Sequence, residues 1–258
     1  MTQITSEQLC AAVNESASAL RKTVAGMVET DVAQPSQLPE WTRGHVLAHL
    51  CGVSAAVARQ LEFAARGELI DMYDGGQHGR DNAINKAASQ SLEKLAKDLN
   101  SALDQALAAL NNVEESGWDA PVKYRDSTVR EVVFALWREL VIHTSDLGLG
   151  GVGAGRGPET WSKLFCEHLF DFLEARVPAE QRFVIQALGM PPRTLGNGPK
   201  STVISGMVTD LAAWLAGRTP SLGTLRADAA ADGVDLPQLM PWPSGIPSQM
   251  PAVVTAQP

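Results

Sequence analysis

Glu139 and His143 stand four residues apart in the run Val132-Val133-Phe134-Ala135-Leu136-Trp137-Arg138-Glu139-Leu140-Val141-Ile142-His143. A helix places both on one side, together with Leu136, Leu140 and Leu147. That side carries the apolar stripe and so faces inward, where a carboxylate is costly unless something positive meets it. A Glu–His pair pointing into a helical bundle commonly supplies two metal ligands. A second pair, His45 and His49, lies four apart on an earlier helical run. A lone histidine on an apolar face is more often a core residue than a ligand. Two of them, together with a buried Glu–His pair, shift the balance toward a metal site. His45 falls in the first turn of its helix and His49 about one turn deeper, so His49 is the better placed, but the sequence leaves that choice open. Three protein ligands with an open position make a catalytic site, four a structural one. Imidazole and carboxylate donors without a thiolate suit zinc, with nickel, iron and manganese as alternatives.

These residues need helices to hold them, and the pattern supplies four. Residues 5–29 form the first, opened by a Thr5/Gln8 capping box and carrying Leu9, Val13, Ala17, Leu20, Val24 and Met27 at helical spacing. Thr42 caps a second that runs to Arg66 and ends at Gly67. Residues 67–81 read as a long loop, a kind of segment that is often functional, with Arg80 at its exit. The third helix spans 82–111. Thr128 and Glu131 make a capping box for the fourth, 129–147, which stops at Gly148. Each has one apolar face, which predicts a four-helix bundle over residues 1–150.

The tract Gly148 to Gly157 holds six glycines and marks the domain boundary. Beyond it, residues 151–236 read as a small α+β domain. Its elements are a helix at 158–176, strands at 182–188 and 201–205, a helix at 206–217 and a last strand at 222–227. Residues 237–258 are a proline-rich tail, extended and draped on the surface or disordered.

Of the 258 residues, 45% are hydrophobic and 19% charged, and the net charge is -8. With no Lys/Arg cluster, this excludes a nucleic-acid binder. Arg138 and Glu139 interrupt the most apolar helix, so no membrane span is expected. Cys10, Cys51 and Cys166 are scattered and odd in number, which points to a reducing compartment rather than a disulfide framework. The N-terminus lacks a signal-peptide pattern, and the expected localisation is cytoplasmic. Cys51 lies roughly 200° around the helix from His49, so the two should not share a site.

Arg80 and Arg218 are candidates for binding an anionic substrate. Taken alone, Arg218 is better explained as a basic residue ending a helix after Gly217. Asp146 reads as a helix-end carboxylate bonded to solvent, with orientation of His143 as the alternative. His78 and His168 have no assigned role. Gly196-Asn197-Gly198-Pro199-Lys200-Ser201-Thr202 is a turn, because a phosphate loop must open a helix and this one leads to a strand.

Three motifs together resemble the mycothiol-dependent maleylpyruvate isomerase family, within the wider DinB-like superfamily. They are Glu40-Trp41-Thr42-Arg43-Gly44-His45-Val46-Leu47-Ala48-His49, the loop from Met72-Tyr73 to Arg80-Asp81-Asn82-Ala83-Ile84, and Arg138 to Gly148. Ala213-Trp214-Leu215-Ala216-Gly217-Arg218 is similar to that family's helix-then-arginine ending, and Pro241-Trp242-Pro243 is in keeping. The resemblance covers nearly the whole chain and is looser after residue 150. It implies a DinB-like bundle with a small C-terminal α/β domain, and a divalent metal, most often zinc, on His49, Glu139 and His143. It further implies that Arg218 is the essential arginine and that the second domain closes over the bundle site, with Arg80 a weaker correspondence.

The implied reaction turns maleylpyruvate into fumarylpyruvate by addition of a thiolate, rotation and elimination. The thiol is mycothiol or a substitute such as ergothioneine. The expected partners are therefore a small anionic substrate and a small thiol, on a monomer or weak homo-oligomer. A thiol S-transferase on the same scaffold and a non-catalytic metal-binding bundle are the rival functions.

Overall fold

Helix α1 (Ser6–Ala25) buries Leu9, Val13, Ala17, Leu20 and Val24, the stripe that its spacing predicts. Thr5 and Gln8 close its capping box as expected. The computed structural model describes residues 4–149, 157–228 and 235–243. They divide into two units between Gly148 and Leu149.

In the first unit, α1 is followed by α2 (Arg43–Ala65), α3 (Gly76–Ala87), α4 (Leu92–Asn111) and α5 (Val129–Asp146). The four long helices pack as a ring in the order α1, α4, α2, α5. Leu9, Leu20, Leu47, Leu50, Leu103, Leu136 and Leu140 are wholly buried at its centre. Each such leucine contributes roughly 2 kcal/mol through removal from water. Among the described residues, no helix is long and apolar enough to cross a membrane.

Two expectations fail here. The segment expected as a loop over 67–81 is helical from Gly76, and the helix expected over 82–111 is two helices. Ser91 breaks that run by capping α4, where its hydroxyl accepts from the Lys94 amide. Gly75 and Gly76 open α3 with φ of 73° and 61°, values that side chains resist. Helix α3 packs against α2, so a tertiary contact overrides its loop-like composition. Gly44 marks how closely the two meet, since a Cβ there would lie 2.1 Å from the Ala88 carbonyl oxygen.

Between α4 and α5, strands β1 (Pro121–Val122) and β2 (Ser127–Thr128) form a minute antiparallel hairpin. Its tip holds Arg125 at φ 56° and Asp126 at φ 50°, consecutive left-handed residues, neither a glycine. Such a conformation costs about 1–2 kcal/mol per residue.

The second unit contains α6 (Lys163–Leu173), β3 (Gln181–Ala187), β4 (Arg193–Leu195), β5 (Lys200–Gly206), α7 (Val208–Leu215) and β6 (Arg226–Ala227). The sheet order is β4-β3-β5-β6, with β3 and β5 parallel and the outer pairs antiparallel. The helix expected over 158–176 is trimmed to α6, with short 3-10 turns on either side. Strand β4, three residues long, carries no sequence signal of its own. The turn at Gly196 leads into β5 and not into a helix, as expected.

Of the tail, residues up to 243 are described and lie against the unit. Arg176 Nε donates to the Met240 carbonyl (2.7 Å), and Trp242 Nε1 donates to the Ala216 carbonyl (3.2 Å). Residues 244–258 and most of the glycine tract lie outside the described residues. Cys10, Cys51 and Cys166 are free.

Candidate metal centre

Thr42 ends the chain's extended run and starts α2 by accepting from the His45 amide, while the Thr42 amide donates to His45 Nδ1 (3.2 Å). His45 thus fills the capping-box position usually held by Glu or Gln. It is a capping residue, and of the two histidines it is His49 that reaches Glu139. One turn deeper, His49 is 3% exposed, with the Trp41 ring against it at 5.7 Å. Thr128 caps α5 through the Glu131 amide, and α5 brings Glu139 and His143 to the same place.

Glu139 Oε2 lies 2.8 Å from His49 Nε2 and 2.9 Å from His143 Nε2. One donor atom from each residue lies within 4.8 Å of the others, and among the described residues this is the one such cluster. A tetrahedral zinc with ligands at about 2.0–2.2 Å sets its donors about 3.4 Å apart. The two Glu139–histidine distances therefore need to open by only about half an ångström. Two imidazoles and a carboxylate from two facing helices fit a divalent metal with open positions. Cys51 is not part of the cluster; its thiol is pushed up by burial and acted on by Asp98 and Lys94 of α4.

The residues behind the cluster fix its rings. His143 Nδ1 donates to Asp146 Oδ2 (2.8 Å), which turns Nε2 toward the centre. Asp146 is 1% exposed, so the expectation of a solvent-bonded helix end is wrong. The cause is tertiary: the 37–43 segment covers this end of α5, with the Gln37 amide on the Asp146 carbonyl (2.8 Å) and Arg43 Nε on that of Leu147 (2.8 Å). On the other ring, Arg80 donates through Nη2 to His49 Nδ1 (3.1 Å). Helix α3 makes this reach; Gly79 sits so close to the Asp74 carbonyl oxygen that a Cβ would come within 2.0 Å.

The electrostatics follow from burial and charge. Burial raises the Glu139 carboxyl, but His49 and His143 outweigh it and hold it well below the usual carboxylate range. Burial lowers the His143 imidazole, but hydrogen bonds to Asp146 and Glu139 more than compensate and raise it to about 9. His49 is lowered, chiefly by burial, with His143 and Arg80 adding to that effect. Without a metal, Glu139 is therefore an anion and the proton of the trio resides on His143.

Sequence reasoning missed an outer layer. Tyr73 and Tyr124 are the chain's two tyrosines, and the Glu139 carboxylate acts on both. Burial first, then Glu139, pushes Tyr73 up to about 12, and the Arg80 guanidinium stands 5.9 Å from its ring. Burial also raises Tyr124, with Glu139 adding to it. Arg138, 4% exposed, is lowered by burial to about 10. Tyr73 and Arg138 lie within the motifs quoted above but had no assigned role, and the rarity of tyrosine was the signal that could have drawn attention to Tyr124.

Arg218 belongs to the second unit. Helix α7 ends in a Schellman turn: Gly217 (φ 68°) donates to the Trp214 carbonyl, and the Arg218 amide to that of Ala213 (2.8 Å). Arg218 itself is half-buried, with Nη1 on the Ala216 carbonyl (3.0 Å). His168 is buried among Phe165 and Phe172. His78 accepts from Asn82 on the α3 surface.

Comparison with known proteins agrees with the fold. Residues 13–148 match the family model described as the mycothiol maleylpyruvate isomerase N-terminal domain, and residues 160–241 match that of the corresponding C-terminal domain. No sequence among curated proteins matches the chain. Among solved structures, a mycothiol-dependent maleylpyruvate isomerase superposes with a TM-score of 0.79 at 18% identity, covering 94% of this chain and 100% of the other. A histidine-to-alanine mutant with the same description gives 0.78 at 17% identity, with the same coverage. At this identity the two structures bear on the fold.

Proposed function

The chain belongs to the mycothiol maleylpyruvate isomerase family, and we propose that it is a metal-dependent, thiol-using isomerase that converts maleylpyruvate to fumarylpyruvate. The observation that carries this reading is the convergence of His49, Glu139 and His143 from two helices within 4.8 Å. Zinc is the proposed metal, because imidazole and carboxylate donors with positions left open suit it.

When bound, the metal supplies the acidity that holds a thiol as thiolate at neutral pH, and the thiol supplies the nucleophile for addition, rotation and elimination across the double bond. The chain's own residues do the rest. Asp146 holds His143 with Nε2 forward. Glu139 offsets the metal's charge. With Nε2 of His49 serving as a ligand, Nδ1 carries the ring hydrogen and no longer accepts from Arg80, whose guanidinium is then open to a substrate carboxylate. Arg218 is proposed as the residue that binds carboxylate bidentately and stabilises the enolate developing on addition. None of the three cysteines is required.

The test is turnover of maleylpyruvate by the metal-loaded protein with mycothiol, ergothioneine, glutathione or bacillithiol. Fumarylpyruvate formation that is lost in His49→Ala supports the reading. A thiol conjugate that accumulates would instead make the protein an S-transferase. No reaction with any thiol would overturn both and leave a non-catalytic metal-binding bundle.

A further inference from the structure

We propose that Arg125, at the tip of the β1–β2 hairpin, is a carboxylate-binding residue of the bundle site. This rests on the reading above only in placing an anionic ligand at that site.

Three observations carry it. First, Arg125 Nε and Nη2 are buried and have no hydrogen-bond partner among the described residues. These two nitrogens form one edge of the guanidinium, the fork that engages a carboxylate side-on through two parallel hydrogen bonds. A desolvated fork without an acceptor is costly and unusual. Its face is already committed, with the carbon of the guanidinium 4.6 Å from the centre of the Tyr124 ring.

Second, the backbone is strained to present it. Arg125 and Asp126 both adopt left-handed φ, at positions where glycine or asparagine would be at ease. Strain of this kind persists where the surroundings hold it, and such positions cluster at ligand clamps. The tip is indeed held: the Tyr124 amide donates to Gln60 Oε1 of α2 (3.0 Å), and Ser127 Oγ donates to the Tyr124 carbonyl (2.6 Å). Gln60, 2% exposed, also donates to the Ile70 carbonyl (2.6 Å), tying the hairpin to the segment that bears Tyr73.

Third, the surroundings are short of negative charge for this cation. Burial lowers the Arg125 guanidinium, and Tyr124, Glu139 and Glu131 together do not make up the difference. The hairpin tip is bonded to Gln60 of α2, the helix of His49, and leads directly into α5, the helix of Glu139, and the Glu139 carboxylate acts on Arg125. An arriving carboxylate would supply the missing acceptor. It can come from a dicarboxylic substrate or from an acid group on the thiol.

The experiment measures binding by titration calorimetry on the full-length, metal-loaded protein. Maleate probes the substrate source, and N-acetylcysteine against its amide probes the thiol source. Arg125→Met is expected to weaken carboxylate binding at least tenfold, with Arg125→Lys recovering part of it. Arg125→Gly is expected to weaken binding equally while melting no lower than the wild type, because glycine relieves the left-handed strain. Loss confined to maleate assigns the fork to the substrate. Loss confined to N-acetylcysteine, with its amide unaffected, assigns it to the thiol. Unchanged affinities in the Met and Gly variants, or no carboxylate binding by the wild type, overturn the proposal. A wild-type protein that binds carboxylate through Arg125 yet isomerises nothing would remove the proposed reaction and leave this subsite standing.

Discussion

Asp146→Asn separates an orienting carboxylate from a merely buried one, and its effect should depend on pH. The Asp146 side chain is 1% exposed and accepts from His143 Nδ1 at 2.8 Å. Loss of the carboxylate behind a metal-binding histidine typically weakens metal affinity 10–100-fold, about 1.4–2.7 kcal/mol. A second effect opposes this one. In the metal-free protein the same carboxylate helps raise His143 to about 9, and that proton must leave before Nε2 can bind a metal. Displacing it costs on the order of 3 kcal/mol at pH 7, two units below that value, and little at pH 9.5. Asparagine removes much of this competition. At pH 9.5 the variant should therefore show the full 10–100-fold loss, whereas at pH 6.5–7 the loss should be smaller. Zinc affinity measured by competition with a chromogenic chelator at both pH values checks this. A loss equal at the two pH values, or none at pH 9.5, would refute the assigned role of Asp146.

Glu139→Gln keeps the shape of the cluster but removes its charge. Metal content after dialysis against buffered zinc should fall below one-tenth of the wild type, measured by atomic absorption, following the loss of one of three ligands. Arg218→Met should leave metal content unchanged and lower kcat/KM for maleylpyruvate by about 10²–10³; equal loss of metal would show a structural role instead. For the chelator-treated protein, His143 is raised on folding, so its contribution is full below about pH 6.5 and fades as pH rises through 9. Urea unfolding should show on the order of 2 kcal/mol less stability at pH 10 than at pH 7, and a smaller difference in Asp146→Asn. Gly44→Ala drives a methyl into the Ala88 carbonyl oxygen and Val32, and should cost about 1–3 kcal/mol in the same assay.

Periodicity and caps made α1, α2 and α5 legible, because their apolar stripes meet one another and Thr5, Thr42 and Thr128 all cap as their spacing suggests. They also placed Glu139, His143 and His49 facing inward. Composition misled at α3, where Asp74-Gly75-Gly76-Gln77-His78-Gly79 carries loop residues. Those glycines serve instead to admit a left-handed start and a close turn, and the helix is held by packing on α2. Asp146 was misjudged for a related reason: its burial comes from residues 37–43, which no local pattern couples to α5. His45 was ambiguous because a capping histidine and a ligand histidine look alike until the hydrogen-bond partner of Nδ1 is seen. Tyr124 and Arg125 were invisible, since a two-residue strand pair leaves almost no periodic trace.

The order of the ring, α1, α4, α2, α5, has a consequence for folding. His49 and Glu139 are neighbours across the α2–α5 seam yet 90 residues apart in the chain. A metal at this seam acts as a reversible cross-link that closes a loop running through α3, α4 and the hairpin. The unfolded chain does not hold the three donors together, so metal at a hundred times its dissociation constant should add about 2.7 kcal/mol to folding stability. The closing loop contains Tyr73, Tyr124 and Arg138 of the outer layer, together with Arg80 and Arg125. Taking up the metal would thus tighten the segment proposed to grip the ligand, before any ligand has arrived.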